Sequence, residues 1–387
     1  MKTRFASFLL VASVFLAPLV FARPVDGYVN ADDYPTLQAA VEALGEAGGE
    51  VRLGAKTYGL QKPVLLKHRI RFQGVMDSKV RSSVTLITAA KDFEGEWLFE
   101  TVPVPAKVNA DLNKDIFFFD LNLTGGDKIS GIKAVNVDGM RLERCRLASL
   151  KDGILVTQAT DLPRPWSWDI SPGATFINNC IFRCSGSAIR LEYSTQNRIY
   201  ANWFVSGTGV ALYLKNSDKT WFFANEINSF TRSAIVLEDD GQPGGLITDI
   251  FLSHNWINAP SPKNKYLEIN VHDKPLRRIQ VIDNIFDGDG SADTSELLPQ
   301  TGNRFANNVA NQPGFASQAT GEVKISKREK EMIVVHGLYR TPDHVSVTFD
   351  SEPPKYWIAQ KDAKTFTVRF SEPISKGSFS WSASTGR

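Results

Sequence analysis

The segments FINNCIF (176–182), IYANWFV (199–205), FFANEIN (222–228), LSHNWIN (252–258) and VIDNIFD (281–287) repeat one phrase. Aligned, they place Asn179, Asn202, Asn225, Asn255 and Asn284 at a single position, followed two residues later by Ile181, Phe204, Ile227, Ile257 and Phe286. The steps between asparagines are 23, 23, 30 and 29 residues, and the two longer steps contain the insertions DDGQPGGL and APSPKNK. Self-similarity at a period of 20 to 50 residues marks a solenoid and takes precedence over local helix or strand preferences. A second phrase follows the asparagines: GSAIRLE (186–192), GVALYLK (209–215), RSAIVLE (232–238) and, in weaker register, KYLEINVH (265–272). Each alternates apolar and polar residues at the strand period. A coil of about 23 residues cannot close its own apolar face and must stack on its neighbours, so the expected fold is an all-β, single-stranded parallel β-helix. Asparagine tolerates left-handed backbone and bonds nearby peptide groups, so the stacked side chains should satisfy one another along an inward turn.

The 387 residues, 42% hydrophobic and 22% charged, suffice for a large core and a second domain. With 44 basic against 42 acidic residues the chain has no nucleic-acid footprint. Residues 1–22, MKTRFASFLLVASVFLAPLVFA, read as a secretory signal, with Lys2 and Arg4 ahead of an apolar run and Ala22 at the cleavage point. No later segment is long enough to cross a bilayer, so the expected location is secreted or periplasmic, with no membrane partner after signal cleavage. Three cysteines cannot all pair, which excludes a disulfide framework. Cys145 (ERCRL) and Cys180 (NNCIF) fall at equivalent places in successive coils and are expected to be stacked neighbours, bridged or not, with Cys184 beyond them.

Ahead of the repeat, Tyr34, Leu37, Val41 and Leu44 recur at helical spacing, with Asp33 as a cap, Pro35 in the first turn, and Gly48 and Gly49 as the stop. Two strands, EVRL and GLQKPVLL, follow around GAKTY. The segment from Asp32 through Gln38 and on to GGEVRLGAKTY (48–58) resembles the N-terminal signature of the pectate-lyase-like superfamily of right-handed parallel β-helices, found in polysaccharide lyases, glycoside hydrolases and phage tailspikes. The resemblance covers roughly residues 28 to 310. It implies a right-handed helix with an N-terminal capping helix, and activity on a polysaccharide, but not which activity, because one fold hosts many chemistries. The helix also has a physical role, since the open end of a β-helix is an aggregating strand edge unless covered. The polygalacturonase-type motifs NDDG, GHG and RIK are absent, as is a clear pectate-lyase calcium cluster.

Beyond Asp289 the repeat gives way to a polar stretch, and alternating strands resume near Glu322. The expected division is signal peptide 1–22, β-helix 23–310, linker 311–321 and a small antiparallel β-module 322–387. The segments VVHGLYRTPDHVSVTF (334–349) and FSWSA (379–383) resemble modules appended to phage-tail and secreted β-helix proteins, and His336 there reads as structural.

Strand alternation sends Ile189, Leu191, Leu212, Leu214, Ile235, Leu237, Ile269 and Val271 inward, so the intervening residues face out in rows. These are Ala188, Ala211 and Ala234; Arg190, Tyr213 and Val236; and Glu192, Lys215 and Glu238, with Glu268, Asn270 and His272 on the next coil. The alanine row predicts a shallow trough beside a charged row. In β-elimination on a uronic acid, Arg190 and Lys215 would neutralise the carboxylate, and Tyr213 or His272 would transfer the proton. Alternatively Glu192 and Glu238, two strands and so about 9–10 Å apart, approach the spacing of an inverting glycosidase pair. The plain structural reading is a charge ladder in which Lys215 offsets two glutamates. Trp166 and Trp168, in an insertion leaving the same edge, suit stacking against sugar rings. No cofactor is implied, apart from calcium: Glu238, Asp239 and Asp240 or Asp287, Asp289 and Asp293 could offer carboxylates, although the latter lack the downstream glutamate of an EF-hand loop. The expected function is cleavage of an acidic polysaccharide, lyase before hydrolase; the alternative is a non-catalytic glycan-binding or tailspike-like adhesion protein. The oligomeric state is open.

Overall fold

The computed structural model describes residues 27–67, 69–77, 82–102, 113–158, 173–205, 207–241, 247–272, 276–293, 302–310 and 318–385. Three parallel sheets run the length of a solenoid, and each coil contributes one strand to each. Gly173–Ile177 lies in sheet A, Cys180–Cys184 in sheet B and Ser187–Glu192 in sheet C, after which Arg198–Tyr200 returns to sheet A. Among the described residues sheets A, B and C contain 12, 10 and 9 strands. The protein is therefore a right-handed parallel β-helix, as the repeat and the N-terminal resemblance predict.

The interior is a column of apolar side chains. Phe72 and Phe118 on sheet A stack with centroids 5.2 Å apart, and Phe99 from sheet C meets both edge-on. At the N-terminal end the helix Leu37–Ala43 buries Leu37, Ala40 and Val41 against this column. Its cap is not Asp33, which sits in the preceding 3-10 turn Ala31–Asp33, but Thr36, whose hydroxyl accepts from the Ala39 N–H at 3.1 Å. Threonine directly before the first helical turn reaches the third amide on, whereas Asp33 lies too far upstream.

Between sheets A and B the asparagines form a continuous ladder. Asn225 Oδ1 accepts from both the backbone N–H and the Nδ2 of Asn202, each at 3.0 Å, while its own Nδ2 donates to Ile199 O at 2.9 Å. The pattern repeats from Asn179 to Asn308, and every member is buried. The left-handed residue is the one before each asparagine: Asn178, Ala201, Ala224, His254, Asp283 and Asn307 all have φ between 52° and 57°. Ladder bonds hold those residues in a conformation costing L-residues about 1–2 kcal/mol.

The cysteines correct the expected alignment. Strand register pairs Arg146, not Cys145, with Cys180, and Cys145 occupies the ladder position, donating its N–H to Asn179 Oδ1 at 2.9 Å. The two thiols therefore differ by one residue in phase, which places them on opposite faces of the chain. All three cysteines are free, with Cys145 and Cys184 buried.

Six C-terminal strands, from Gln318–Ile325 to Gly377–Ser384, form two three-stranded antiparallel sheets around Phe366, Phe370 and Phe379. His336 is structural: Nδ1 accepts from the Leu338 N–H and Nε2 bonds Asp362 O, both at 3.0 Å. Tyr339 packs edge-on against Phe305 of the last coil and donates to its carbonyl at 2.8 Å.

Replacing Asn225 by Ala leaves the buried Asn202 N–H without its acceptor and removes one partner each from Asn202 Nδ2 and the Ile199 carbonyl. At about 1–3 kcal/mol for an unsatisfied buried group, the urea midpoint should fall by that equivalent. Burial raises the Cys145 thiol to about 12, raises Cys184 further, and raises Cys180 less steeply. An aromatic disulfide reagent should accordingly leave Cys145 and Cys184 unmodified in native protein and titrate three thiols after denaturation.

Candidate functional site

The charged residues of sheet C converge because their strands pair in register. One outward row reads Arg190, Tyr213, Val236 and Glu268 on successive strands, and the next reads Glu192, Lys215, Glu238 and Asn270. The interior residues between them, Leu191, Leu214 and Leu237, are fully buried. Five of the sequence-predicted site residues therefore share one face across three strands.

The alanine trough does not exist. Ala188, Ala211 and Ala234 are fully buried members of the core, and the same row continues into Tyr266, whose hydroxyl donates to Asp287 O at 2.7 Å. Alternation fails at the start of these strands, where the chain leaves the turn and two consecutive residues, such as Ala188 and Ile189, are both buried. One residue earlier, Ser187, Val210 and Ser233 are buried as well.

The charge ladder is also different from the expected one. Arg190 reaches along its own strand to Glu192, with Nη2 2.5 Å and Nε 2.6 Å from Oε1, and its guanidinium lies 5.1 Å from the Tyr213 ring centroid. The Tyr213 phenol lies diagonally across from Glu238, near enough to feel its carboxylate. Burial and then that carboxylate push the phenol well above the ordinary tyrosine range. Lys215 sits between Glu192 and Glu238 in register, yet among the described residues its ammonium makes no ion pair, and Glu192 is held by Arg190 instead. On the next strand Glu268 accepts from Ser233 Oγ and, at 3.2 Å, from Asn270 Nδ2. Burial opposes its ionisation, but these bonds hold it below the usual carboxylate range.

His272 stands apart from the rows, at the turn after Asn270. Its N–H donates to Asp239 Oδ2 and its Nδ1 lies against Oδ1, both at 3.2 Å, while its side chain is 66% exposed. Asp239 is buried and also accepts from the Gly241 N–H at 2.8 Å, which makes it the anchor of that turn. Asp240 accepts from the Tyr193 hydroxyl. In the second acidic loop, Asp293 pairs with Lys265 at 2.9 Å and Asp287 accepts from the Gly288 N–H. Trp166 and Trp168 lie outside the described residues.

The chain matches the family model described as periplasmic copper-binding protein (NosD) over residues 114–290, less than half its length. Copper would need converging imidazole, thiolate or carboxylate donors. Among the described residues no three His, Cys, Asp or Glu side chains converge, and the Cys145 thiol is turned to the carbonyls of Phe118 and Glu143. These residues do not fit a copper centre. No curated protein sequence matches the chain. Among solved structures it is similar to the phiAB6 tailspike in complex with oligosaccharides of Acinetobacter baumannii surface polysaccharide, with 11% identity, 92% of this chain and 86% of the other covered, and a TM-score of 0.43. The surface adhesin PfbA of Streptococcus pneumoniae aligns at 13% identity over 69% of this chain and 94% of its own, with a TM-score of 0.36. The A-module of the mannuronan C-5 epimerase AlgE4 of Azotobacter vinelandii aligns at 16% identity over 67% and 81%, with a TM-score of 0.33. Among the described residues no helix is long and apolar enough to cross a membrane.

Sequence patterning missed two features of the site: the bond from Arg190 to Glu192 and the nearness of Tyr213 to Glu238. The signal for the first was the i, i+2 spacing on one strand face. For the second, it was the diagonal neighbour across adjacent strands.

Because the folded state raises the Tyr213 phenol, its stabilising contribution is complete below the unfolded tyrosine value of about 10 and is lost as pH rises above it. The difference in unfolding free energy between wild type and Tyr213→Phe should therefore be constant from neutrality to about pH 10 and shrink beyond. Urea titrations at stepped pH measure it.

Proposed function

We propose that this right-handed parallel β-helix protein is an exported carbohydrate-active protein that lays an acidic polysaccharide along the outward face of sheet C and cleaves it by β-elimination. The observation that carries the reading is the Lys215 ammonium, free of ion pairs among the described residues, beside a phenol that its surroundings keep protonated. A uronate supplies the missing anion. Neutralising its carboxylate is what makes the C5 proton removable.

The three groups divide the work as follows. Lys215, assisted by Arg190, holds the substrate carboxylate. Glu238 takes the C5 proton, the C4–oxygen bond breaks as the C4–C5 double bond forms, and Tyr213 delivers its phenolic proton to the leaving oxygen. The proton taken by Glu238 then passes to the phenolate and restores the resting state. His272, tied to Asp239 at the turn, stays outside this exchange.

Hydrolysis ranks lower. Glu192 and Glu238 have the two-strand separation, about 9–10 Å, that an inverting pair approaches, but Arg190 already occupies Glu192. Binding without turnover is favoured by one observation: the raised phenol is a poor proton donor. Incubation with alginate, pectate, ulvan and glycosaminoglycans separates the readings. Ultraviolet absorbance of unsaturated ends together with new reducing ends marks elimination, reducing ends alone mark hydrolysis, and glycan retention with neither marks a binder.

Lys215→Ala should abolish elimination, by roughly a hundredfold or more, while unfolding stays within about 0.5 kcal/mol of wild type, since an outward side chain with no ion pair is removed. Wild-type turnover in that variant would exclude the outward face of sheet C as the site.

A further inference from the structure

Sheet A has an outward face unlike that of sheet C. Across the strands Arg198–Tyr200, Asp218–Phe223 and Thr248–Ser253, one row reads Arg198, Trp221, Phe251 and the next Tyr200, Phe223, Ser253. The residues between the rows, Ile199, Phe222 and Leu252, are buried in the core, so four aromatic rings and a guanidinium point away from it on three successive strands. Trp221 is 39% and Phe223 45% exposed. The Trp221 and Phe251 planes are parallel within 5°, with centroids 6.0 Å apart. Across the asparagine corner Trp203 is 48% exposed, and its indole is oriented by Nε1 donating to Glu226 Oε1 at 2.9 Å.

Cross-strand ring pairs stabilise a sheet, but they do not require their outer faces to stay open to water. A contiguous apolar patch on an otherwise polar surface marks a binding site.

We propose that this face is a second glycan-binding site, taking a uronate-containing polysaccharide along the solenoid axis. The apolar C–H faces of the sugar rings stack on Trp221, Phe223 and Trp203. Arg198, which makes no ion pair among the described residues, takes a sugar carboxylate at the end of the row, a pairing for which guanidinium geometry is suited. The charged groups interleaved with the rings, Arg198 and Glu226, disfavour a second copy of the chain as occupant, because the centre of such an interface is depleted of charge. The site takes the polymer class assigned to sheet C but lies on another sheet, and it stands whether or not the polymer is cleaved there.

Affinity electrophoresis in native gels containing alginate or polygalacturonate tests this, with light scattering to record mass and circular dichroism to record folding. Wild type should be retarded by at least one polymer. A Trp221→Ala, Phe223→Ala double variant should bind it roughly tenfold more weakly or worse, yet cleave short uronate oligomers at the wild-type rate. Phe223→Ser alone, at a half-exposed position, gives a smaller shift in the same direction and serves if the double variant does not fold. Lys215→Ala reports on the other site: it loses turnover and keeps most retardation. The proposal is overturned by wild-type mobility unchanged in both gels, by equal retardation of wild type and variants, or by variants that fall from oligomer to monomer mass, which would make the face a contact between copies.

Discussion

The asparagine amide that bonds the coil before it and the coil after it is the constraint on which this molecule depends. A solenoid of short strands has no local reason to keep its register, because parallel pairing alone permits slippage. The ladder from Asn179 to Asn308 pins each coil at one corner, with a backbone N–H and a side-chain Nδ2 converging on the next Oδ1. Once the corner is fixed, strand geometry fixes the rest, and residues some 23 apart in sequence stand about 4.8 Å apart in space. Arg190 beside Tyr213 and Glu192 beside Lys215 are consequences of that corner rather than of any contact between the side chains themselves.

The period of the coils, the inward apolar residues and the outward charged rows were all legible in the sequence, because each is a pattern that repeats. What failed was phase. Cys145 and Cys180 occupy similar phrases, but the first lies on the ladder and the second one residue beyond it. Ala188, Ala211 and Ala234 follow the outward parity of their strands and are nonetheless buried, because parity holds only after the chain has left the turn. Alternation dictates relative orientation within a strand and is silent about where the strand begins.

Charge partners were illegible for a related reason. Register places Lys215 between two glutamates, and a ladder of alternating sign is the simplest expectation. The side chains choose otherwise because Arg190 reaches Glu192 along its own strand through a short bond. A lysine with four rotatable bonds gains little from an exposed pair and gives up side-chain entropy to make one. The cation left over is thus a product of competition among neighbours, and competition is invisible to a pattern that records only spacing.

The aromatic face of sheet A was hidden by the opposite problem, too much signal of one kind. Segments such as TWFFAN and DIFLSHN read as continuous apolar runs, and such runs in parallel sheets ordinarily mean burial on both sides. Here Phe222 and Leu252 are buried, while Trp221 and Phe223 on the same strands stay open to solvent. In a solenoid each strand has one inner face only, so an apolar run along it must place half its side chains outside. The fold itself therefore turns an unbroken apolar stretch, ordinarily a mark of the interior, into a statement about the surface.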